Sequence, residues 1–346
     1  MTIRVVYIVI KNYDENLERR QPWYGVKKLI TDLKKAGCNI KIVPDISKID
    51  ANLTDIVVIK IFSLKDLFVI RSRRAYRLNY LITFPIYPLK KFLSFPLKTT
   101  IENWKDLKRI FIASLVPKFV FRITLNDADN IIVISDRSEK YLSSFVRTSK
   151  YITFIFDNWN GVKKEFNFEK ERKTIGYFGP PFTTRSFDDV IHFFTWLNLN
   201  NQEFNKKIIT RIERDELKDI EDDYLSQIKD DKSLKVISGF LDRELLAREL
   251  IEIDILILPF KIVMSELPVV VLEALELGIP VVTTTDCGIE RISKGQKNIL
   301  ILKDFEKDKY NQVIDFIESV ESDDFHQMQN SIDKINKDTL SLICQK

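Results

Sequence analysis

The feature that most constrains this chain is an alternation. Short β-branched runs, each too brief for a helix, take turns with longer stretches whose apolar residues recur at helical spacing. In the first half the strand-like runs are Ile3–Ile10, Asn39–Val43, Asp55–Phe62, Tyr80–Phe84, Asn130–Ser135 and Tyr151–Phe156. In the second they are Thr174–Phe178, Lys207–Arg211, Leu234–Ser238, Ile255–Leu258 and Pro280–Thr284. Helical periodicity fills many of the gaps: Gly25–Gly37, a basic segment around Asn103–Leu115, Ser138–Val146, Ser186–Leu197, Asp215–Lys229, Asp242–Glu252 and Pro268–Leu277, with Asp304–Val320 and Asp323–Ile343 closing the chain. Strands separated by helices must cross over, so the expected class is α/β with doubly wound parallel sheets.

At 346 residues the chain exceeds one average core. The alternation pauses in the charged stretch Lys163–Lys173 (KKEFNFEKERK). Two Rossmann-like domains, 1–163 and 164–346, are therefore expected, with the last helix able to pack back on the first. No uncharged apolar run is long enough to span a bilayer, and the N-terminus reads as a strand rather than a signal peptide. Cys38, Cys287 and Cys344 lie far apart, in neither a metal-binding nor a disulfide spacing. They read as free thiols of a reducing compartment, which makes the expected location cytoplasmic.

Charge is uneven. Between Arg71 and Arg122 twelve Lys/Arg face only Glu102 and Asp106, interleaved with many aromatic rings, whereas Glu213–Asp231 is mostly acidic. Such bias implies an anionic partner near the first half. Nucleic acid is not expected, since no motif of a nucleic-acid-binding fold accompanies the charge. A solvated basic face remains the plain alternative.

The stretch SELPVVVLEALELGIPVV, Ser265–Val282, bears on chemistry. Pro268 suits the first turn of a helix, and Gly278 with Pro280 ends it. Open α/β sheets bind ligands where loops leave the carboxyl ends of strands, and the loop Pro259–Leu267 is such a place. First-turn N–H groups of the following helix suit a phosphate, and an ionised Glu273 suits the two donors of a ribose diol. Alternatively Glu273 and Glu276 form the solvated stripe of that helix.

Five segments, two of them inside this stretch, stand in a fixed order: Ser238-Gly239-Phe240-Leu241, Ile253-Asp254 to Leu258-Pro259, Leu272-Glu273-Ala274, Gly278-Ile279-Pro280-Val281-Val282 and Gly288-Ile289-Glu290-Arg291-Ile292. Together they resemble the donor-binding domain of glycosyltransferases of the GT-B fold, in particular family 4. Gly25 at the first helix, Ala128-Asp129 with Ser135, Asn160-Gly161-Val162 and Ile175-Gly176-Tyr177-Phe178-Gly179 extend the resemblance through most of the chain.

The resemblance implies two such domains across a cleft. It implies transfer of a hexose, with retention, from a UDP- or GDP-linked sugar to a glycan or lipid-linked acceptor, with no metal and no cofactor beyond the donor itself. It places Glu273 on the ribose and Glu266, as a catalytic residue, with Ser265 near the donor sugar and phosphates. The register sets Ser265 at the family's earlier glutamate, with Glu266 one place later. Leu267 and Pro268 form the helix mouth, Gly239 and Leu241 flank the base, and Gly25 matches the family's glycine turn. Arg185 falls on the diphosphate as the charge that assists catalysis. Pro180 stands where the family carries a second cation, a role open to Lys261 or Arg211. The family's first-domain histidine has no counterpart, and His192 reads as a helix-surface residue.

The basic segment Arg71–Arg122 falls in the acceptor domain, which suits an anionic membrane surface and peripheral attachment. A non-catalytic GT-B-like protein that binds a nucleotide sugar or a partner chain is the rival reading. An epimerase would want more acid/base side chains than the sequence offers.

Overall fold

The computed structural model describes residues 5–11, 23–50, 56–68, 76–83, 85–133, 135–146, 151–153, 172–210, 215–239, 241–264, 267–284, 288–289, 293, 296–320, 337, 340–341 and 343. The stretch in which the domain boundary was expected lies largely outside them. A first sheet is built from β1 (Val5–Val9), β2 (Asn39–Val43), β3 (Ile56–Phe62), β4 (Arg77–Ile82), β5 (Asn130–Val133) and β6 (Tyr151–Thr153). All pairings are parallel, in the order β2-β1-β3-β4-β5-β6.

Period-two alternation sorts the side chains of β1 onto two faces. Val6 and Ile8 pack with Val26, Leu29 and Leu33 of helix α1 (Trp23–Lys35). Tyr7 and Val9 join Phe121, Leu125 and Leu142 on the opposite face. Ile343 is buried in the α1-side core beside Leu340, so the end of the chain returns to the first sheet. Between β4 and β5 the chain makes four short helices, α2 (Leu89–Phe92), α3 (Leu97–Glu102), α4 (Trp104–Leu115) and α5 (Lys118–Leu125). Helix α6 (Asp136–Ser143) follows β5, with Ser135 as N-cap accepting from the Ser138 N–H.

The second sheet contains β7 (Thr174–Phe178), β8 (Asn205–Thr210), β9 (Leu234–Ser238), β10 (Ile255–Leu258), β11 (Val281–Thr284) and β12 (Ile299–Leu302). It too is parallel, in the order β12-β11-β10-β7-β8-β9. The helices α7 (Phe187–Leu199), α8 (Asp215–Leu225), α9 (Arg243–Ile251), α10 (Val269–Leu277) and α11 (Tyr310–Ser319) connect or flank these strands.

Sequence periodicity missed some of this. β4 begins three residues before the expected Tyr80 and ends at Ile82. β12 was not anticipated, because a four-residue ILIL run carries no period that separates strand from helix. The helix expected from Asp304 starts only at Tyr310, after a 3-10 turn at Lys307–Lys309. Pro268 is the N-cap of α10 rather than a residue of its first turn.

Two aspartates that the family resemblance singled out hold strands. Asp129 accepts from the Leu78 N–H at 2.6 Å and donates its own N–H to the Leu78 carbonyl at 2.7 Å, which sets where β4 begins. Asp254 does the same for β7, accepting from the Thr174 N–H at 2.8 Å and donating to the Thr174 carbonyl at 2.8 Å. β8 carries two buried lysines. Lys207 reaches Glu249 and Glu252, and Lys206 pairs with Asp231 at 3.0 Å.

Asp231 also accepts from Ser233 and Asn198. Burial pushes its carboxyl up, but these donors and Lys206 outweigh it and hold the group at about 2, below its ordinary 3.8. A depressed folded-state value stabilises the fold above the ordinary value, and that share is lost as pH falls through the lowered one. Asp231→Asn is expected to be less stable than the parent at neutral pH, with the difference closing between pH 3.8 and about 2. Denaturation midpoints across that range check it; a difference independent of pH refutes the assignment.

Candidate functional site

In the second sheet β7 and β10 are neighbours, yet their connections leave in opposite directions: β7 feeds α7 towards β8, and β10 feeds α10 towards β11. Their carboxyl ends thus flank a crevice at a topological switch point. Immediately after β7, Gly179 adopts φ +144°, a conformation that side chains disfavour. A Cβ there would lie 2.7 Å from a guanidinium nitrogen of Arg185. Arg185 therefore lies across this glycine, with its guanidinium carbon 5.6 Å from the centre of the Phe260 ring in the loop after β10. The turn is braced from beneath by the buried Tyr177, whose hydroxyl donates to the Pro180 carbonyl at 2.7 Å. Burial pushes that phenol far up, so it stays protonated and remains a donor.

The two loops are stitched together. The N–H groups of Lys261 and Ile262 both donate to the Thr184 carbonyl at 3.0 Å. Thr283 and Thr284 at the end of β11 donate to the carbonyls of Leu258 and Phe260. Lys261 does not present an uncompensated charge to the crevice. Its ammonium lies 2.6 Å from Asp188 and 2.9 Å from Asp189, in the first turn of α7. Burial opposes its charge, but the two carboxylates outweigh burial and raise its pKa. Burial and the neighbouring Asp188 push the Asp189 carboxyl up in turn.

Helix α10 starts at Pro268, which makes no side-chain cap. Pro268 offers no side chain to its first-turn N–H groups, the setting that suits an anion. From Val270 to Leu277 every residue is buried except Glu273. Val269 and Glu273, one turn apart, form the line of this helix that solvent reaches, and it starts at the uncapped end. The alternative of a Glu273–Glu276 stripe in water does not hold, because Glu276 is buried. Glycine at the helix end adopts φ +83° at Gly278, as the sequence suggests.

Other expected positions fall as follows. Leu267 is buried in the second-domain core, so it can offer a ligand only its backbone. Gly239 follows β9 with φ +112° and open space where a Cβ would stand, and Leu241 packs against the same core. Beneath them the buried Glu221 accepts from Thr210 and Ser238, tying the ends of β8 and β9 together. Gly25 lies in the first turn of α1. His192 is exposed on α7. Ser265, Glu266, Arg211 and Glu290 lie outside the described residues.

Sequence reasoning passed over the seam between the domains. The Tyr87 hydroxyl donates to the Val263 carbonyl at 3.1 Å and accepts from Arg137 at 2.8 Å, and the Arg137 guanidinium stacks 4.5 Å from the Tyr87 ring centre. Tyr87, Phe92, Phe95, Leu107 and Ile110 enclose Ile262 of the loop after β10. Asn103 donates to Thr183, and Gly288 receives the Asp136 N–H at 3.2 Å. A Cβ at Gly288 would stand 3.0 Å from that of Ser135. First-domain residues thus grip the loops that carry Arg185 and Lys261. No local periodicity announces such contacts.

Residues 203–319 match the family model described as Glycosyl transferases group 1. No curated protein sequence matches the chain. Among solved structures, sucrose-phosphate synthase from Thermosynechococcus elongatus is similar with a TM-score of 0.62 at 12% identity, over 99% of this chain and 94% of that one. Anabaena HepE, crystallised with UDP and glucose, gives 0.60 at 10% identity over 99% and 100%. WaaG, a glycosyltransferase involved in lipopolysaccharide biosynthesis, gives 0.57 at 11% over 99% and 100%. The chain has the GT-B fold. Within that fold the family match contains Gly239, Leu241, Lys261 and Glu273, while Arg185 precedes it.

The Gly179–Arg185 contact in this GT-B domain is open to a double-mutant test. Gly179→Ala is expected to cost about 1–3 kcal/mol, mostly from backbone strain. More than half of that cost should persist in an Arg185→Ala background, because the guanidinium can swing away whereas φ cannot. Denaturant unfolding of the four proteins checks it; an unchanged stability in Gly179→Ala would show that the turn tolerates a side chain.

Proposed function

We propose that this protein is a glycosyltransferase that moves a hexose from a UDP- or GDP-linked sugar to a glycan or lipid-linked acceptor, with retention and without a metal. The observation that carries the reading is the placement of Glu273. It lies on the solvent-reached line of an otherwise buried helix, whose uncapped N-terminus follows the loop that meets Arg185. Similarity to a structure that holds UDP and glucose supports it, as does the family match.

In this reading Glu273 accepts hydrogen bonds from both ribose hydroxyls. The α10 N–H groups and Arg185 face the diphosphate. As the bond between the anomeric carbon and the phosphate oxygen breaks, negative charge grows on the leaving diphosphate, and these donors stabilise it. The acceptor oxygen bonds to the anomeric carbon on the same face, and its proton passes to the departing phosphate oxygen. The products are a glycoside and a nucleoside diphosphate. Glu266 and Ser265 are assigned to the donor sugar, and the backbone around Gly239 and Leu241 to the base. Leu267 and Pro268 shape the helix mouth, and Gly25 lies on the first-domain side. Closure of the two domains excludes water from the donor. We place the enzyme in the cytoplasm, at the cytoplasmic face of a membrane, in glycan biosynthesis.

A specific observation favours a second reading, a GT-B-like protein that binds a nucleotide sugar without turning it over. Pro180 replaces one cation of the family pattern, and Lys261 is neutralised by Asp188 and Asp189.

One experiment separates the two. Nucleoside diphosphate release is measured with a panel of UDP- and GDP-sugars, and donor binding is followed by calorimetry. A turnover enzyme is expected to lose about 10–100-fold in donor affinity with Glu273→Ala, the loss of hydrogen bonds to a charged group. It is expected to lose about 10²–10³ in kcat with Arg185→Ala, and to be indifferent to a chelator. Binding without release would leave only the second reading. No binding of any donor would end both.

A further inference from the structure

The helical insert between β4 and β5 has two unlike faces. Its inner face is the aromatic cluster that encloses Ile262. The same insert also carries most of the large apolar side chains that the described residues leave in water. Leu93, Leu97 and Ile101 are 67–74% exposed and follow one another at four-residue spacing, with Trp104 three residues on. Leu115, Phe119 and Ile123 repeat the spacing from the end of α4 into α5, and Phe119 and Ile123 are 62% and 71% exposed. On α4, Trp104, Ile112 and Leu115 fall within about 80° of one another at 3.6 residues per turn, and that helix links the two exposed groups along the chain.

A patch of this kind is an interaction surface rather than scattered surface apolarity. Its chemistry selects the occupant. Over residues 89–125 eight Lys/Arg stand against two acidic residues, and Lys90, Lys98, Lys105, Lys108, Lys118 and Arg122 are all exposed among the apolar side chains. Exposed leucine, isoleucine, phenylalanine and tryptophan interleaved with lysine is the composition of helices that lie in a lipid interface. A second copy of the chain fits poorly. A two-fold contact would set one strongly basic patch against another. No helix of the described residues is long and apolar enough to cross a membrane, so the surface suits attachment and not insertion of a span.

We propose that the outer face of α2–α5 docks on an anionic lipid bilayer, with Leu97, Ile101, Phe119 and Ile123 entering the acyl boundary and the lysines meeting headgroup phosphates. This deepens the proposed function, since it brings the acceptor domain to a surface where a lipid-linked acceptor resides. The inner face of the same insert grips the loop after β10, so docking presents the cleft to the bilayer in one orientation.

The test needs neither donor nor acceptor, so its failure is distinct from failure of the glycosyltransferase reading. The full chain is floated with vesicles of phosphatidylcholine alone and of phosphatidylcholine with phosphatidylglycerol in equal parts, at low and high salt. Binding to the anionic vesicles, weakened by salt, is expected. Leu97→Asp with Ile101→Asp should abolish it. Lys98→Ala with Lys105→Ala should weaken partition on anionic vesicles by about 30-fold, at the usual worth of a basic residue near such a surface. The lysine pair keeps the test decisive if the aspartate variant folds poorly, which its unfolding transition would reveal. No flotation with anionic vesicles overturns the proposal. So does flotation that neither variant changes. A dimer in light scattering that the Leu97/Ile101 variant dissociates would assign the face to a second copy and overturn it as well.

Discussion

The arrangement around α10 rests on one constraint: a nine-residue helix wedged between the second sheet and its neighbours, buried on every side but one line. Burying so apolar a helix is favourable, at about 25 cal/mol for each Å² removed from water. A carboxylate on it is costly to bury unless it finds donors. Glu273 sits on the line that stays accessible. The packing of its helix therefore fixes where this residue sits, at a position that solvent partly reaches. The same packing sets the N-terminus of α10 beside the stitched loops after β7 and β10, because the helix cannot shift along its axis without opening the core.

What surrounds the helix supports that placement. The Asp254 clamp fixes where β7 begins, and β7 in turn positions Gly179 and the arginine lying over it. Asp129 fixes β4 in the same way in the other domain. Two halves with unrelated side chains thus use one device, a carboxylate that satisfies an N–H in the first two residues of the neighbouring strand. An orphan donor there would be costly, which is reason enough for an aspartate at both places. The family pattern records these residues, and their work is structural.

Electrostatics divides the second domain. The amino end of β8 holds two buried lysines paired with carboxylates. At the carboxyl ends, Lys261 is balanced by Asp188 and Asp189, and Arg185 lies against an aromatic ring and a glycine. Positive charge at the crevice thus comes from a guanidinium and from backbone amides more than from lysine. A planar, always-charged group with several fixed donors suits a diphosphate better than a mobile ammonium does.

Local sequence determined much of this. β-Branched runs and helical spacing set the α/β class, the parallel sheets and the bounds of β2, β7, β9 and β10, because the hydrophobic period is a property of neighbours along the chain. The order of motifs pointed to the second domain and to the helix that carries Glu273. Tertiary structure alone decided the rest. It buried Glu276 and left Glu273 accessible, although both are glutamates three positions apart on one helix. It neutralised Lys261 with side chains more than seventy positions away in sequence, and it joined Tyr87 to Arg137 and Val263 across two domains. Burial and ion pairing depend on which surfaces meet, and that is a relation between distant segments that no local pattern encodes.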